Sequence, residues 1–390
     1  MATALAASAV DAPCLLPATG GRLRFELVAA HNEREVRQLL RETPVPGWIT
    51  LAYEREPDYL LGTTLEGPVH QTVLARTVAD GTLVGTFSRS ERLAFVNGEP
   101  RPLGYLGLLR LRDRFRGRTR YLREGYEACR RFLHDPESTP YYVTSIIEGN
   151  ATARRVLEAG LPGLPVYRPW QEFATLALPC RRHPGTVPRG LQVVPGSPQL
   201  LGDIAACLQR NYARYALAPY WTADDLASPE RCRGLRPQDF RVALRGDRVV
   251  GCLALWDQRA FKQHVVRGYA PGVERWRGPI NVAARLLSLP RLPEPGEALA
   301  EAALSHVASD DDDPAMLLPL VAAARAEACR RGLAVVTLGL ARRNPMLRAV
   351  RAAFRHLEYR SILYLVHWDD GRAAAAALDD RPAHLEAATL

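Results

Sequence analysis

The chain has 390 residues, too many for one ordinary hydrophobic core and enough for two domains. An apolar share of 47% with a charged share of 24% fits a globular protein, and no apolar run reaches the ~18 residues of a membrane span, which excludes an integral membrane protein. The formal charge of +9 is almost all arginine, since Lys262 is the only lysine, and arginines spread along the whole chain read as a codon-composition bias rather than a nucleic-acid footprint. Seven cysteines, odd in number and without a C-x-x-C pair, argue against a disulfide framework or structural zinc, so no metal is expected and a reducing cytoplasm suits them.

Residues 1–21, alanine-rich and lacking the basic start of a signal peptide, read as a disordered lead-in. A capping-box pattern, Asn32 followed by Glu35, predicts a helix through Leu39 and Leu40 that ends at Pro44, Pro46 and Gly47. Residues 48–58 mix aromatic rings with Glu54, Glu56 and Asp58. They read either as a solvated surface loop or as an acidic aromatic loop whose Glu54 and Glu56 hold a cationic amine. Residues 70–78 and 82–88 form a hairpin at the Asp80-Gly81 turn, and a second turn at Asn97-Gly98 leads to a third antiparallel strand over 105–111.

The next turn, residues 114–120, crowds arginines around Gly117, directly before a helix whose first amides are unpaired and whose dipole is positive. A strand, turn and helix start of this kind is an anion site. Leu122, Tyr126, Cys129 and Phe132 share one face of the helix, with arginines opposite. Residues 141–147 are β-branched and aromatic, which makes them the return strand of a β-α-β crossover. Asn150 caps a short helix that Gly160 ends, and a strand within 166–178 closes the first domain, 22–178.

A proline- and arginine-rich linker, 179–189, opens a second domain, 190–369, in which the same order of elements returns. Ser197-Pro198 start a helix, 240–256 is a hairpin, and 298–307 is a strand followed by a helix to Arg331. A buried strand over 334–340, a helix opened by Asn344-Pro345 and an aromatic strand over 359–368 complete it. The alanine-rich tail, 370–390, reads as disordered or loosely helical.

This order of elements resembles the GCN5-related N-acetyltransferase superfamily in a tandem, two-domain arrangement with a degenerate C-terminal domain. In that family an Arg-Gly-x-Gly-x-Gly/Ala turn follows the fourth strand and an Asn-x-x-Ala helix follows the fifth. Here the turn is Arg116-Gly117-Arg118-Thr119-Arg120-Tyr121, and the helix opens Asn150-Ala151-Thr152-Ala153. The resemblance implies an α+β (mixed α/β) fold class, each domain a mostly antiparallel sheet with one splayed parallel pair flanked by helices. It also implies acetyl transfer from acetyl-coenzyme A to a primary amine by direct attack. Amides of Arg116 to Tyr121 would meet the pyrophosphate, the pantetheine arm would pass Leu109, Asn150 and Ala153, and an amide near Leu111 would hold the thioester carbonyl.

Many members place a tyrosine seven residues after the helix asparagine to protonate the thiolate, and that position is Leu157 here. Tyr167 or Tyr121 is then the candidate acid. Glu148 is the candidate base, with Glu54 and Glu56 as rivals. In the second domain Asp310, Asp311, Asp312 and Asp313 stand where the phosphate turn belongs, and unit charges about 4 Å apart repel by roughly 4 kcal/mol at an effective dielectric near 20. The same run suits a helix start with Asp313 as cap and Pro314 in the first turn, so only the first domain is expected to bind coenzyme A. Two other readings stay open: a catalytically inactive acyl-CoA-binding or regulatory module, and a tandem-domain transferase using aminoacyl-tRNA. The expected partner is a small-molecule or peptide amine, without a membrane; oligomeric state stays open.

Overall fold

The computed structural model describes residues 15–16, 20–287 and 289–390. Most of the expected lead-in, 1–14 and 17–19, lies outside the described residues. The first half runs β1 (Leu23–Leu27), α1 (Glu33–Glu42), β2 (Ile49–Glu54), β3 (Val69–Thr77), β4 (Leu83–Val96), β5 (Glu99–Leu111), α2 (Thr119–Phe132), β6 (Tyr142–Ile147), α3 (Ala151–Leu157) and β7 (Val166–Pro179). The second runs β8 (Gln192–Pro195), α4 (Leu201–Tyr212), α5 (Ala223–Ala227), β9 (Phe240–Arg245), β10 (Arg248–Trp256), β11 (Gln263–Tyr269) and α6 (Pro271–Leu286). It continues through β12 (Glu301–Ser309), α7 (Pro314–Arg330), β13 (Val335–Ala341), α8 (Pro345–Ala353), β14 (Leu357–His367) and α9 (Arg372–Ala376).

Local causes account for most of these elements. The β4–β5 hairpin turns at Asn97 and Gly98, both at positive φ (53° and 87°), as a turn matched to the twist of its strands requires. α2 lays Tyr126, Ala128 and Cys129 on Leu23 and Phe25 of β1, Val73 of β3 and Val84 of β4, which makes the first core. Its last turn carries Arg130 and Arg131, where cations suit the helix dipole. β10 is apolar from Val249 onward because helices cover both faces: α7 packs Leu317, Leu320 and Val321 against one, α4 packs Ile204, Cys207 and Leu208 against the other. No helix among the described residues is long and apolar enough to cross a membrane.

The strands build one twelve-stranded sheet in the order β1-β3-β4-β5-β6-β14-β7-β13-β12-β10-β9-β8. Only β5 with β6 and β12 with β13 are parallel neighbours within it. β14, the last strand of the second half, inserts between β6 and β7 of the first, and β7 pairs with β13. The halves thus exchange their closing strands. The linker expected at 179–189 falls between β7 and β8, but cutting there would leave each half without a central strand of its sheet. A separate two-stranded sheet joins β2 to β11, again one strand from each half.

Three local expectations are corrected. Of residues 48–58, 49–54 are strand rather than loop, because β11 supplies them with a partner from the other half, and only 48 and 55–58 stay irregular. Asn32 does not cap α1 with its side chain: its Oδ1 accepts from the Ala29 amide at 2.8 Å, its Nδ2 donates to Glu26 at 2.9 Å, and Glu35 pairs with Arg76 at 2.6 Å. The tail is ordered, with α9 followed by buried Ala383, His384, Leu385, Glu386 and Ala388.

Candidate active site

β5 and β6 pair only at Gly104–Tyr142 and Tyr105–Val143, then part. A bulge bends β5 there: Leu108 and Leu109 together oppose Phe87, between the pairs Ser88–Gly107 and Thr86–Arg110, and Leu108 takes a φ of 54°. Bulges re-aim backbone groups away from the ladder. A cavity of about 460 Å³ opens at this gap, walled by Leu106, Leu109, Leu111, Ile146, Asn150 and Ala153.

At its outer end stands the turn before α2. Gly117 has a φ of 76°, the left-handed conformation a glycine adopts without strain. No side chain caps α2; the Tyr121 amide donates to the Arg118 carbonyl at 3.1 Å, while the Thr119 and Arg120 amides ahead of it make no backbone hydrogen bond among the described residues. Arg116 is held by Asp113 at 2.9 Å and the Leu111 carbonyl at 3.2 Å, while Arg118 and Arg120 are exposed. Tyr121 is buried, edge-on to Phe115 at 5.4 Å, and its hydroxyl accepts from Arg120 at 3.2 Å. Across the gap Asn150 Oδ1 caps α3 by accepting from the Ala153 amide at 3.2 Å. An open slot, an uncapped helix start and two arginines at its mouth fit a diphosphate carried on a narrow flexible arm.

The second half has the same device, and fills it. His306 and Val307 oppose Leu253 between the pairs Cys252–Ala308 and Ala254–Ser305, and His306 takes a φ of 51°. The tail enters the gap beyond the β12–β13 pairing: Glu386 accepts from the His306 amide at 2.7 Å, and Ala387 packs on Gly339, where a Cβ would come within 2.8 Å of the Ala387 Cβ. Burial pushes the Glu386 carboxyl up to about 7. The aspartate run is consumed structurally. Asp310 meets Arg210 at 2.8 Å and Asn211 at 2.9 Å, Asp312 meets Arg214 at 3.1 Å and Tyr215 at 2.6 Å, and Asp313 caps α7 through the Ala315 amide at 2.8 Å.

Past the β5 bulge the cavity continues into a chamber under the β2–β11 sheet. Glu54 lies 3.5 Å from Arg41 and is bonded to Arg267. Glu66 lies 3.4 Å from Arg55 and 3.5 Å from His70. His264 Nδ1 meets Glu301, and the His264 ring sits edge-on to Tyr53 with centroids 4.6 Å apart. Lys262 donates to the Ala388 and Leu390 carbonyls, and burial brings its ammonium down to about 7. Burial likewise raises Tyr53 and lowers Arg110.

Of the residues singled out from sequence, Leu109, Leu111, Tyr121, Asn150, Ala153, Glu54 and Tyr167 line the cavity. Arg116, Gly117, Arg118, Thr119 and Arg120 form the turn and helix start between Leu111 and Tyr121 but are not themselves on the cavity wall. Tyr167 faces Tyr126, hydroxyl to hydroxyl at 2.5 Å, and burial holds its pKa well above the ordinary tyrosine value. Glu148 is not on the cavity wall: it lies exposed past the end of β6, on a shallow outer face with Glu172, Arg342 and Arg360. Glu56 is also outside, tied to Arg37 and Arg41. Sequence reasoning missed Lys262, His264 and Glu301; the uniqueness of Lys262 was the one visible signal.

A bulged strand, crossover helix, parallel strand and asparagine-capped helix, with a slot at the parallel pair and the whole unit occurring twice, define a tandem acetyltransferase fold. Solved structures agree at the level of fold. The chain is similar to N-myristoyltransferase of Saccharomyces cerevisiae solved with bound myristoyl-CoA, at 12% identity over 91% of this chain and 84% of that one, with a TM-score of 0.58. It is also similar to the GCN5-related glucosamine N-acetyltransferase region of a fungal multi-domain GH3 β-N-acetylglucosaminidase, at 14% identity and a TM-score of 0.57, covering 90% of this chain but only 38% of that longer one. A GCN5-related N-acetyltransferase from Sphaerobacter thermophilus aligns at 15% identity over 75% of this chain and 79% of that one, with a TM-score of 0.46. No protein-family model and no curated protein matches the sequence.

Proposed function

We propose that the chain is a cytoplasmic N-acyltransferase that moves the acetyl group of acetyl-coenzyme A to a primary amine, with coenzyme A held by the first half alone. One observation carries this reading: the two halves have matching bulges beside matching parallel pairs, and only the first leaves its slot open. The free amides at the start of α2, with Arg118 and Arg120, would hold the pyrophosphate, and Asn150 and the wall of β5 the pantetheine arm. When bound, coenzyme A supplies an activated acyl group on a thiolate leaving group. The bulge amides would stabilise charge on the acyl oxygen. The amine would enter from the chamber. Two similar structures with TM-scores above 0.5 are, by name, N-acyltransferases.

Calorimetry with acetyl-coenzyme A tests the site. Arg118→Glu with Arg120→Glu is expected to weaken binding at least tenfold, about 1.4 kcal/mol, with thermal stability unchanged; no binding by the unaltered protein would overturn the reading. A longer acyl donor is a second reading, favoured by an apolar arm of the cavity that runs beneath α2 between Leu23, Phe25, Ala75, Val84, Leu122 and Cys129. In a series of acyl-coenzyme A donors of increasing length, affinity that climbs by roughly 0.8 kcal/mol per added methylene would select it over acetyl.

A further inference from the structure

An amine that attacks a thioester gives up a proton, so the chamber must contain a base. Most candidates on its wall are already engaged. Glu54 is neutralised by Arg41 and Arg267, Glu66 by Arg55, and Lys262 donates to two carbonyls. His264 is different. Glu301 accepts at its Nδ1, the ring belongs to the cavity wall, and no other side-chain hydrogen bond is made by the ring among the described residues. With the carboxylate fixing the hydrogen on Nδ1, Nε2 keeps its lone pair.

We propose that His264 is the general base for the acceptor amine and that Glu301 is a positioning residue that sets its tautomer; this rests on the acyltransferase reading above. The placement is supported from both sides. His264 on β11 opposes Tyr53 on β2, and both line the same cavity as Glu301 and Arg110, the first residue past the β5 bulge. The dyad therefore stands on the acceptor side of the bulge. The charged and titratable groups around it are Tyr53 on β2, Arg110 on β5, Arg259 and Lys262 before β11, and Tyr359 on β14. In the step, the amine nitrogen bonds to the thioester carbonyl carbon while one of its protons passes to Nε2. The carbon–sulfur bond breaks, coenzyme A leaves as the thiolate, and the proton on Nε2 goes to that thiolate or to water, giving amide and free thiol.

Thiol release from acetyl-coenzyme A, with ethylamine and with methoxyamine as acceptors, separates a base from a structural histidine. Methoxyamine is weakly basic and needs little help in losing its proton. His264→Gln is expected to lower kcat/KM for ethylamine by about 10²–10³-fold and for methoxyamine by less than about tenfold, with acetyl-coenzyme A affinity unchanged. Equal losses for both amines would overturn the proposal. Nitrogen-15 histidine spectra of the unaltered protein near pH 7.5 give a readout without turnover: His264, assigned by its disappearance in His264→Gln, is expected as the Nδ1–H tautomer, converting in Glu301→Gln. The Nε2–H tautomer would also overturn it. Binding of acetyl-coenzyme A without thiol release to either amine would overturn the acyltransferase reading itself, and the base with it.

Discussion

Lys262 offers the sharpest quantitative test of the chamber. Burial, followed by the nearby Arg55 charge, lowers its pKa from 10.5 to about 7, while Glu66, Glu301 and Glu386 act in the opposite direction. The unfolded chain therefore holds this proton more tightly, and stability must rise with pH between about 7 and 10.5; below 7 both states are protonated and the effect is constant. The full shift of 3.5 units (10.5 minus 7) corresponds to about 5 kcal/mol at ~1.36 kcal/mol per unit. The ammonium faces a cavity that admits water rather than solid protein, so roughly half of that, about 2–3 kcal/mol, is the expected effect at a realistic effective dielectric. Lys262→Met removes the titration but also leaves the backbone oxygens of Ala388 and Leu390 without this donor, a loss of about 1 kcal/mol each. The informative quantity is thus the change in the stability difference between wild type and variant from pH 7 to pH 10, followed by urea unfolding. Because the chain has a single lysine, carbon-13 lysine labelling gives one side-chain resonance whose titration reads the pKa directly. Parallel stability profiles, or a resonance titrating near 10.5, would refute the reasoning.

Glu386 titrates with the opposite sign. Its carboxyl is raised from 4.5 to about 7, so stability should fall as pH rises through that window, and Glu386→Gln, which still accepts from the His306 amide, should flatten the fall in thermal unfolding between pH 4.5 and 7. Gly339→Val should destabilise the protein by about 1–3 kcal/mol, because its Cβ meets the Ala387 Cβ and the Phe173 ring at 2.8 Å; limited proteolysis should then release residues near 383–390. Asn150→Ala should lose about 1 kcal/mol as an N-cap, and weaker acetyl-coenzyme A binding measured beside the unfolding curve would add a ligand contact to that role.

What the sequence made legible were features whose causes lie within a few residues. The Asn97-Gly98 turn, the Asn150 cap and the Asp313 cap each depend on neighbours within three positions. The mouth of the slot was legible for the same reason, since a glycine among arginines before a helix carries its own electrostatic meaning. The strand exchange was not. β14 is apolar and aromatic wherever it pairs, and nothing local chooses β6 and β7 over a place at the edge of the second half. The chamber was hidden for a related reason: His264 and Glu301 are 37 residues apart, and their spacing has no periodicity that marks a shared wall. Glu148 was favoured by proximity to the return strand, but at the end of β6 its side chain faces outward.

Two bulged strands in one sheet pose the same physical problem twice. A bulge beside a splayed parallel pair turns a backbone N–H away from the ladder, and leaving such a group buried and unpaired costs about 1–3 kcal/mol. The second half solves this within the chain: the tail threads the gap and Glu386 accepts from the His306 amide, although burial makes that carboxylate hard to ionise. In the first half Leu108 and Leu109 lack a ladder partner. That difference makes the first slot the part of the fold whose donors a ligand can satisfy. Ligand binding there should stabilise the whole protein rather than one half, because the exchange of β7 and β14 couples both halves. At a free concentration one hundred times Kd the gain is about 2.7 kcal/mol, and it should appear as a single shifted unfolding transition; two transitions, only one of them moved by ligand, would mean that the exchanged strands do not join the halves.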